Sequence, residues 1–333
     1  MTLYHRHIDG PLNRPVLVVV LDGWVDAGGG AAGAIAAAIG SARTELLATF
    51  DSEALIDQRA RRPIARIVDG VHEQLTWPEI ELLVSHDLAG NDICYLVGPE
   101  PDFLWRTFTA SVTTLATELG VRMAVGLGAF PAPVPHTRPV RLAATVPPGS
   151  TDLLEQIGVV QGTIEVPSGI WGALEHGFAG VDIPSIGLWA RVPHYVSGMP
   201  FPAASAALID GLTQVADLSI DLTDLRTEAD ASLQQVNELI GRSSEHASLV
   251  RRLEHSVDTA EGNPFALGPI PTGDELADEL ERYLQSEQNL DAEDLTVVIG
   301  EDLDLGFDPD DLDLESLDPD GTRFDSGADG DIP

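Results

Sequence analysis

The sequence of 333 residues contains no lysine, since all 18 of its Lys and Arg side chains are arginine. A Schiff-base lysine, a P-loop lysine and any other lysine catalyst are therefore excluded. Cysteine is almost as scarce. The single Cys94 excludes an internal disulfide and a cysteine-based zinc site. Its place in the apolar run Ile93–Val97 predicts a buried, unreactive thiol.

Long hydrophobic runs are also missing. The apolar run Val16–Leu21 is too short to cross a bilayer. The polar segment before it, with Asp9 and Asn13, is unlike a secretory signal peptide. We therefore expect a soluble cytoplasmic protein that has no membrane-spanning segment.

Positive charge is scarce beside negative charge. There are 54 acidic side chains, which gives a net charge of −36 and argues against nucleic acid or an anionic membrane as the main partner. The acidity is uneven, because residues 257–333 hold 24 acidic side chains and two arginines, whereas residues 1–256 carry a net charge of only −14. Together with the strand and helix patterns described next, length and charge predict an α/β domain over residues 1–220, a helical appendage over 221–290 and a disordered acidic low-complexity tail over 291–333.

In the first 220 residues, segments typical of strands alternate with segments typical of helices. The β-branched run Val16–Leu21 precedes a small-residue helix at 27–39, and residues 102–119 have an apolar period of 3.6 that ends at Gly120. This alternation predicts an α/β fold, a three-layer αβα sandwich around a mainly parallel sheet. Further strands are predicted at 45–50, 63–68, 79–84, 92–97, 121–127, 141–146, 162–166 and 183–192, and further helices at 152–157, 169–178 and 203–218.

The strand signal ends after residue 218. An amphipathic stripe covers residues 222–257 and is interrupted by the polar stretch Gly241–Glu245. Residues 263–273, with three prolines, are predicted to be a hinge. Thr272-x-x-Glu275 fits the capping box of one more helix.

The stretch Gly28–Gly33 satisfies the G-x-G-x-x-G pattern of dinucleotide sites, and Asp51 follows the next strand where a ribose-binding acid would lie. Six residues, 22–27, separate the strand from the first glycine, whereas in the Rossmann turn that glycine follows the strand almost directly. We therefore predict that Gly28, Gly30 and Gly33 let the helix lie close on the sheet, and we expect no cofactor.

Acidic and aromatic side chains follow the first strand, where open α/β sheets build their ligand sites. Asp22 and Asp26 could together hold a cation or bind ribose hydroxyls. Alternatively, Asp26 caps the next helix by accepting from the amides of Gly28 or Gly29. Trp24 either covers the core or contacts a partner.

Two further loops, at 135–138 and 191–195, follow the strand segments 121–127 and 183–188. Their histidines could be general bases and their arginines could bind an anion, or the loops could pack on each other with their polar groups satisfied locally. We expect all three loops to share one edge of the sheet. The candidate ligand or partner residues, called the rim residues below, are Asp22, Trp24, Asp26, His136, Arg138, Arg191, His194 and Tyr195.

No catalytic or metal-ligating residue is predicted. The pattern Gly-x-Ser-x-Gly is absent, and no Ser-His-Asp order can be argued. Glu175-His176 is half of a zinc motif, because no second histidine follows at the required spacing.

Four segments in this order resemble the proteasome assembly chaperone 2 family in its actinobacterial form. They are DGWVDAGGGA at 22–31, GAFPAPVPHTRPV at 128–140, SGIWGALE at 168–175 and ARVPHYV at 190–196. The resemblance implies an αβα fold similar to nucleoside phosphorylases and hydrolases. It also implies self-association, with a trimer as one candidate, or association with proteasome subunits.

The resemblance does not extend to the last residues. Some archaeal relatives dock on the proteasome through a C-terminal hydrophobic-Tyr-any motif, whereas this sequence ends Asp331-Ile332-Pro333. We expect a non-catalytic protein-binding or assembly-chaperone-like protein. The alternative is a small-molecule-binding protein or a hydrolase of the nucleoside phosphorylase type, with its site built from Asp22, Asp26, His136 and Arg138.

Overall fold

The computed structural model describes residues 3–10, 12–40, 42–157 and 163–259. The predicted hinge at 263–273, the capped helix from Thr272 and the acidic tail at 291–333 lie outside the described residues. The strands are β1 (Tyr4–Arg6), β2 (Val16–Asp22), β3 (Glu45–Phe50), β4 (Ile64–Val68), β5 (Val71–Thr76), β6 (Glu81–His86), β7 (Asp92–Pro99), β8 (Met123–Ala132), β9 (Leu142–Thr145) and β10 (Ser185–Pro193). The helices are α1 (Gly30–Gly40), α2 (Ser52–Leu55), α3 (Trp105–Glu118), α4 (Ile170–Ala179), α5 (Pro202–Ala216), α6 (Thr223–Gly241) and α7 (Ser244–Thr259).

Eight strands form one sheet in the order β1-β3-β6-β7-β2-β8-β10-β9. The four strands β7, β2, β8 and β10 run parallel at its centre, and the strands on either side pair antiparallel. The run Val16–Val19 of β2 is buried on both faces, as its continuous apolar sequence predicts. The predicted α/β sandwich is thereby confirmed.

Helices cover both faces of the sheet. On one face α1 and α5 pack over a core that includes Val18, Val125 and Leu188. On the other face α3 and α4 pack over a core that includes Leu17, Cys94 and Ala124. Each hydrophobic core lies between one helical layer and the sheet, which is the expected three-layer arrangement.

Small residues bring α1 close to its neighbours. A Cβ atom at Gly30 would lie 2.9 Å from the Cβ atom of Ala129, and one at Gly33 would lie 2.5 Å from Ser205 Oγ. Gly30 therefore lets α1 lie close on the sheet, as predicted, whereas Gly33 lets α1 pack closely on α5. Cys94 is fully buried, as predicted, and burial raises the pKa of its thiol to about 12.

Helices α6 and α7 confirm the amphipathic stripe after residue 218. Residues 242–243 separate the two helices. Leu225 and Val236 of α6 belong to the same core as α1 and α5, and α7 packs on α6. No helix in the described ranges combines the length and apolar character that crossing a membrane requires. The limits of the three predicted parts stay a prediction.

Some elements differ from their prediction. Strands β1 and β5 were not anticipated, and residues 151–156 form a 3-10 helix rather than an α-helix. The strand predicted at 162–166 is wrong over its described part, since residues 163–166 have no regular structure. These residues are all exposed, and they pair with none of the described strands.

Candidate functional site

The four parallel strands end at the same edge of the sheet. Strands β2, β7, β8 and β10 end at Asp22, Pro99, Ala132 and Pro193. Because parallel neighbours share direction, the loops that follow them all begin at this edge. The sequence prediction of one shared edge therefore agrees with the topology.

Asp26 is committed to the start of α1. Its Oδ1 accepts from the amide of Ala31 at 2.8 Å and its Oδ2 from that of Ala32 at 3.0 Å. The capping role holds, but the amides differ from the predicted Gly28 and Gly29. The reason is a 3-10 turn at Ala27–Gly29, in which both glycines have positive φ, 64° and 59°, so that the free amides of the helix come later.

Asp22 ends β2 with an exposed side chain. Its carbonyl oxygen accepts from the amide of Glu100 at 2.6 Å, which joins the loop after β2 to the loop after β7. Among the described residues no group of three or more His, Cys, Asp or Glu side chains is arranged to hold a metal ion. The cation-holding interpretation of Asp22 and Asp26 gains no support from these contacts.

Glu100 caps α4, a role that sequence reasoning missed. Its Oε2 accepts from the amide of Ile170 at 2.6 Å. The ring of Trp24 lies against Gly169, where a Cβ atom would be 3.1 Å from Trp24 Cγ, yet 44% of Trp24 stays exposed. Trp24 thus covers the start of α4 with one part of its ring, and the rest of the ring is exposed.

The second and third loops meet through His136 and Tyr195. The Tyr195 hydroxyl accepts from the amide of His136 at 2.8 Å and lies 2.7 Å from its Nδ1. Burial raises the pKa of Tyr195 to about 12. His136 Nε2 lies 3.0 Å from Asn237 Oδ1 of α6, and because an amide oxygen only accepts, this hydrogen bond is donated by Nε2.

Arg138 is paired with acidic side chains of α7. It donates from Nε and Nη2 to the two carboxylate oxygens of Asp258 at 2.8 and 2.7 Å, and from Nη1 to Glu254 at 3.3 Å. Glu254 and Asp258 are four residues apart and therefore face the same way. Thr137 donates to Glu254 at 2.5 Å. The hydrogen bond from Arg138 lowers the pKa of Asp258.

Arg191 and His194 are the remaining rim residues at the carboxyl end of β10. Arg191 is only 5% exposed, and its Nε has no hydrogen-bond partner in the described part of the chain. His194 begins a 3-10 turn, and its ring meets that of Tyr195 edge-on at 5.4 Å. The loops after β8 and β10 do pack on each other, while Arg191 stands apart from their network.

The carboxyl group of Glu175 is held by hydrogen bonds from neighbouring side chains. Its Oε1 accepts from Trp171 Nε1 at 3.0 Å and from Thr145 Oγ1 at 2.9 Å. Burial raises the pKa of its carboxyl group, although these hydrogen bonds oppose the shift. The side chain ties α4 to β9, and neighbouring His176 bonds the carbonyl of Gly172 instead.

The side chains named for an enzyme are held by different elements. Asp26 bonds to α1, His136 bonds to Tyr195 and α6, and Arg138 bonds to α7. Their polar atoms make the structural hydrogen bonds described above. Within the described residues the set Asp22, Asp26, His136 and Arg138 therefore does not form one hydrogen-bonded centre.

Comparisons with known proteins indicate one protein family. The model of the PAC2 family matches residues 20–240. A Corynebacterium glutamicum protein of unknown function is 30% identical with a TM-score of 0.74, covering 79% of this chain and 99% of that chain. A PAC2 family protein from Streptomyces avermitilis is 35% identical with a TM-score of 0.64, covering 71% and 99%. A Mycobacterium tuberculosis proteasome-assembly chaperone homologue is 34% identical with a TM-score of 0.64, covering 71% and 99%. No curated protein matches the chain.

Proposed function

The chain belongs to the PAC2 family, and we propose that it is a non-catalytic, assembly-chaperone-like protein of the cytoplasm that binds proteasome-related subunits and also itself. The similarity to a protein described as a proteasome-assembly chaperone homologue supports the class of partner. The engagement of Asp26, His136 and Arg138 in capping and bridging contacts supports a role without catalysis.

The observation that carries the proposal is the β4–β5 hairpin, residues Ile64–Thr76. It is a separate two-stranded sheet, and every residue of both strands is exposed. A lone two-stranded ribbon is marginally stable in water. This ribbon nevertheless carries large apolar side chains, with Ile64 74% and Val71 63% exposed. Such a surface is typical of a protein–protein contact.

The apolar surface is not confined to one side of the ribbon. Ile64 pairs with Thr76 and Ala65 pairs with Leu75, so consecutive pairs place apolar side chains on opposite faces. Trp77, just beyond the ribbon, is 51% exposed. Both faces of the hairpin therefore gain by burial, which favours its insertion between other subunits over simple contact with one flat surface.

Self-association is tested by the mass of the full chain in solution. We expect the wild-type protein to form an oligomer. A trimer, the candidate order, would have about three times the chain mass of 35.4 kDa. Val71→Asp places a charge on the hairpin and is expected to shift the mass towards the monomer. Val166→Asp is the matched control, because Val166 is 69% exposed but lies outside the hairpin.

Light scattering after size-exclusion chromatography measures both variants across a range of concentrations. A monomeric wild-type protein would contradict self-association. An equal effect of the two substitutions would show that the hairpin is not the contact.

The proteasome partner is tested with purified core-particle α and β subunits of the same organism. We expect the full chain to comigrate with α subunits or with an assembly intermediate in native gels, and to change the rate of ring formation. Val71→Asp is expected to weaken this effect and Val166→Asp to preserve it. Unchanged assembly and no comigration would overturn the proteasome-related partner, while leaving self-association to its own test.

A further inference from the structure

Arg191 is the one arginine that is buried among the described residues. It lies near the carboxyl end of β10, and its side chain is 5% exposed. Its Nε has no hydrogen-bond partner within the described ranges. A guanidinium group has five N–H donors and cannot shed its charge in a protein, so burial of such a group calls for acceptors.

The neighbourhood of Arg191 supplies another cation. The amide of Arg191 donates to the carbonyl oxygen of Arg141 at 3.2 Å, which continues the β9–β10 pairing by one step. Burial, and then the charge of Arg141, lowers the pKa of Arg191. Two like charges in this position repel each other, and burying an uncompensated ion destabilises the fold.

The other rim arginine shows the contrast. Arg138 is opposite Asp258 and Glu254, so its charge is compensated by α7. It also stays on the exposed side of its loop, with 35% of its side chain accessible. Arg191, although more deeply buried, has no ion pair with a described carboxylate. Of the two rim arginines, the more exposed Arg138 is therefore the one that carboxylates of the described residues neutralise.

The position of Arg191 fits a ligand site. Residues Gly187, Trp189 and Arg191 alternate along β10 and share the sheet face that α4 covers. In the parallel pairing Arg191 lies beside Phe130 of β8. The sheet edge at which both strands end is the edge where open α/β sheets bind ligands.

We propose that Arg191 is an oxyanion-binding residue, which receives the carboxylate or phosphate group of a small molecule at the carboxyl end of β10. A bidentate oxyanion matches the planar guanidinium fork of Arg191 and compensates its charge. This site goes beyond the proposed chaperone-like role and does not depend on it.

The test uses the full chain with two probes, inorganic phosphate and succinate, at constant ionic strength set with sodium chloride. We expect at least one probe to raise the melting temperature above that in chloride alone, because a ligand that binds only the folded state stabilises it. Calorimetric titration then gives the affinity. Preference for phosphate or for succinate identifies which of the two oxyanions the site takes.

Arg191→Gln is expected to weaken binding by about ten- to a hundredfold, as loss of a charge-assisted pair of hydrogen bonds predicts. Arg43→Gln is the control, because the Arg43 side chain is 90% exposed and lies outside the rim residues, and it should leave the affinity unchanged. Arg191→Lys keeps the positive charge but loses the planar two-pronged guanidinium group, so we expect an intermediate affinity. If the Arg191→Gln variant does not fold, the Arg191→Lys variant takes its place in the test.

Two results would overturn the site. One is a melting temperature that responds to phosphate and succinate no more than to chloride. The other is an Arg191→Gln variant that folds and keeps the full response to the probe. A purely structural Arg191 would change the melting temperature of the variant without changing the increment that the probe adds.

Discussion

The contact between Tyr195 and His136 allows a quantitative test of how the loops at the sheet edge are held. The Tyr195 hydroxyl makes two hydrogen bonds to His136, one to its amide and one to its Nδ1. Tyr195→Phe removes one oxygen atom and leaves both groups of a residue that is only 4% exposed without that partner. At a net 0.5–1.5 kcal/mol for each bond, the expected loss is about 1–3 kcal/mol in the free energy of unfolding.

A double-mutant cycle separates this contact from other effects of the substitution. His136→Leu removes the ring nitrogens, and combining it with Tyr195→Phe replaces both polar partners by apolar groups. The double variant should lose less than the sum of the single variants, with a coupling of roughly 0.5–2 kcal/mol. The control is Tyr4→Phe, since the Tyr4 hydroxyl makes an exposed bond of 3.2 Å to Glu118 and its loss should cost about 0.5 kcal/mol or less.

Urea unfolding followed by tryptophan fluorescence measures these free energies in the full chain. Hydrogen exchange in α6 adds a local measure, because His136 also bonds Asn237 of that helix. If Tyr195→Phe costs no more than Tyr4→Phe, or if the two rim substitutions are strictly additive, then the hydrogen-bond network does not hold the loops as we infer.

Two further predictions concern α4. Burial raises the folded-state pKa of Glu175 above its ordinary 4.5, so its contribution to stability is fully present below that pH and is lost as the pH rises through the raised value. Glu175→Gln should flatten this dependence and raise the melting temperature at pH 8 relative to wild type; a greater loss of stability at pH 8 than at pH 5 would refute the sign. A Cβ atom at Gly126 would lie 2.3 Å from Trp171, so Gly126→Ala should destabilise the fold by about 1–3 kcal/mol in urea unfolding. Gly198→Ala, with nothing within 4 Å, should be neutral, and equal costs would contradict the packing argument.

Local patterns were sufficient for the elements that are buried in the body. The run Val16–Leu21 predicted β2 because a strand buried on both faces needs apolar side chains at every position. The strand β5 was missed because its sequence has three consecutive polar residues, 72–74, whereas the equally exposed β4 has the apolar residues Ile64, Ile67 and Val68. Its stability depends on a partner beyond the local sequence, namely β4 and any surface that the hairpin contacts.

The candidate site was predictable only where its contacts are local. Asp26 lies next to the helix that it caps, so the cap could be inferred, although the 3-10 turn shifted the bonded amides. Glu100 caps a helix 70 residues away, and Arg138 meets α7 at a separation of 116 to 120 residues. Nothing in the sequence near Glu100 or Arg138 identifies those partners, because they are set by the packing of whole helices.

The absence of lysine bears on how a buried cation can exist in this chain. A buried lysine can lose its proton, since its pKa falls readily below neutrality when it is desolvated. An arginine has no such escape, so Arg191 remains charged even though burial lowers its pKa. Its charge must then be compensated by an anion or carried as a cost to stability. In phosphate-free buffer Arg191→Gln removes that cost in both cases. Only a ligand site predicts that the substitution also reduces the stabilisation that the probe adds, so this second measurement separates a ligand site from a structural residue.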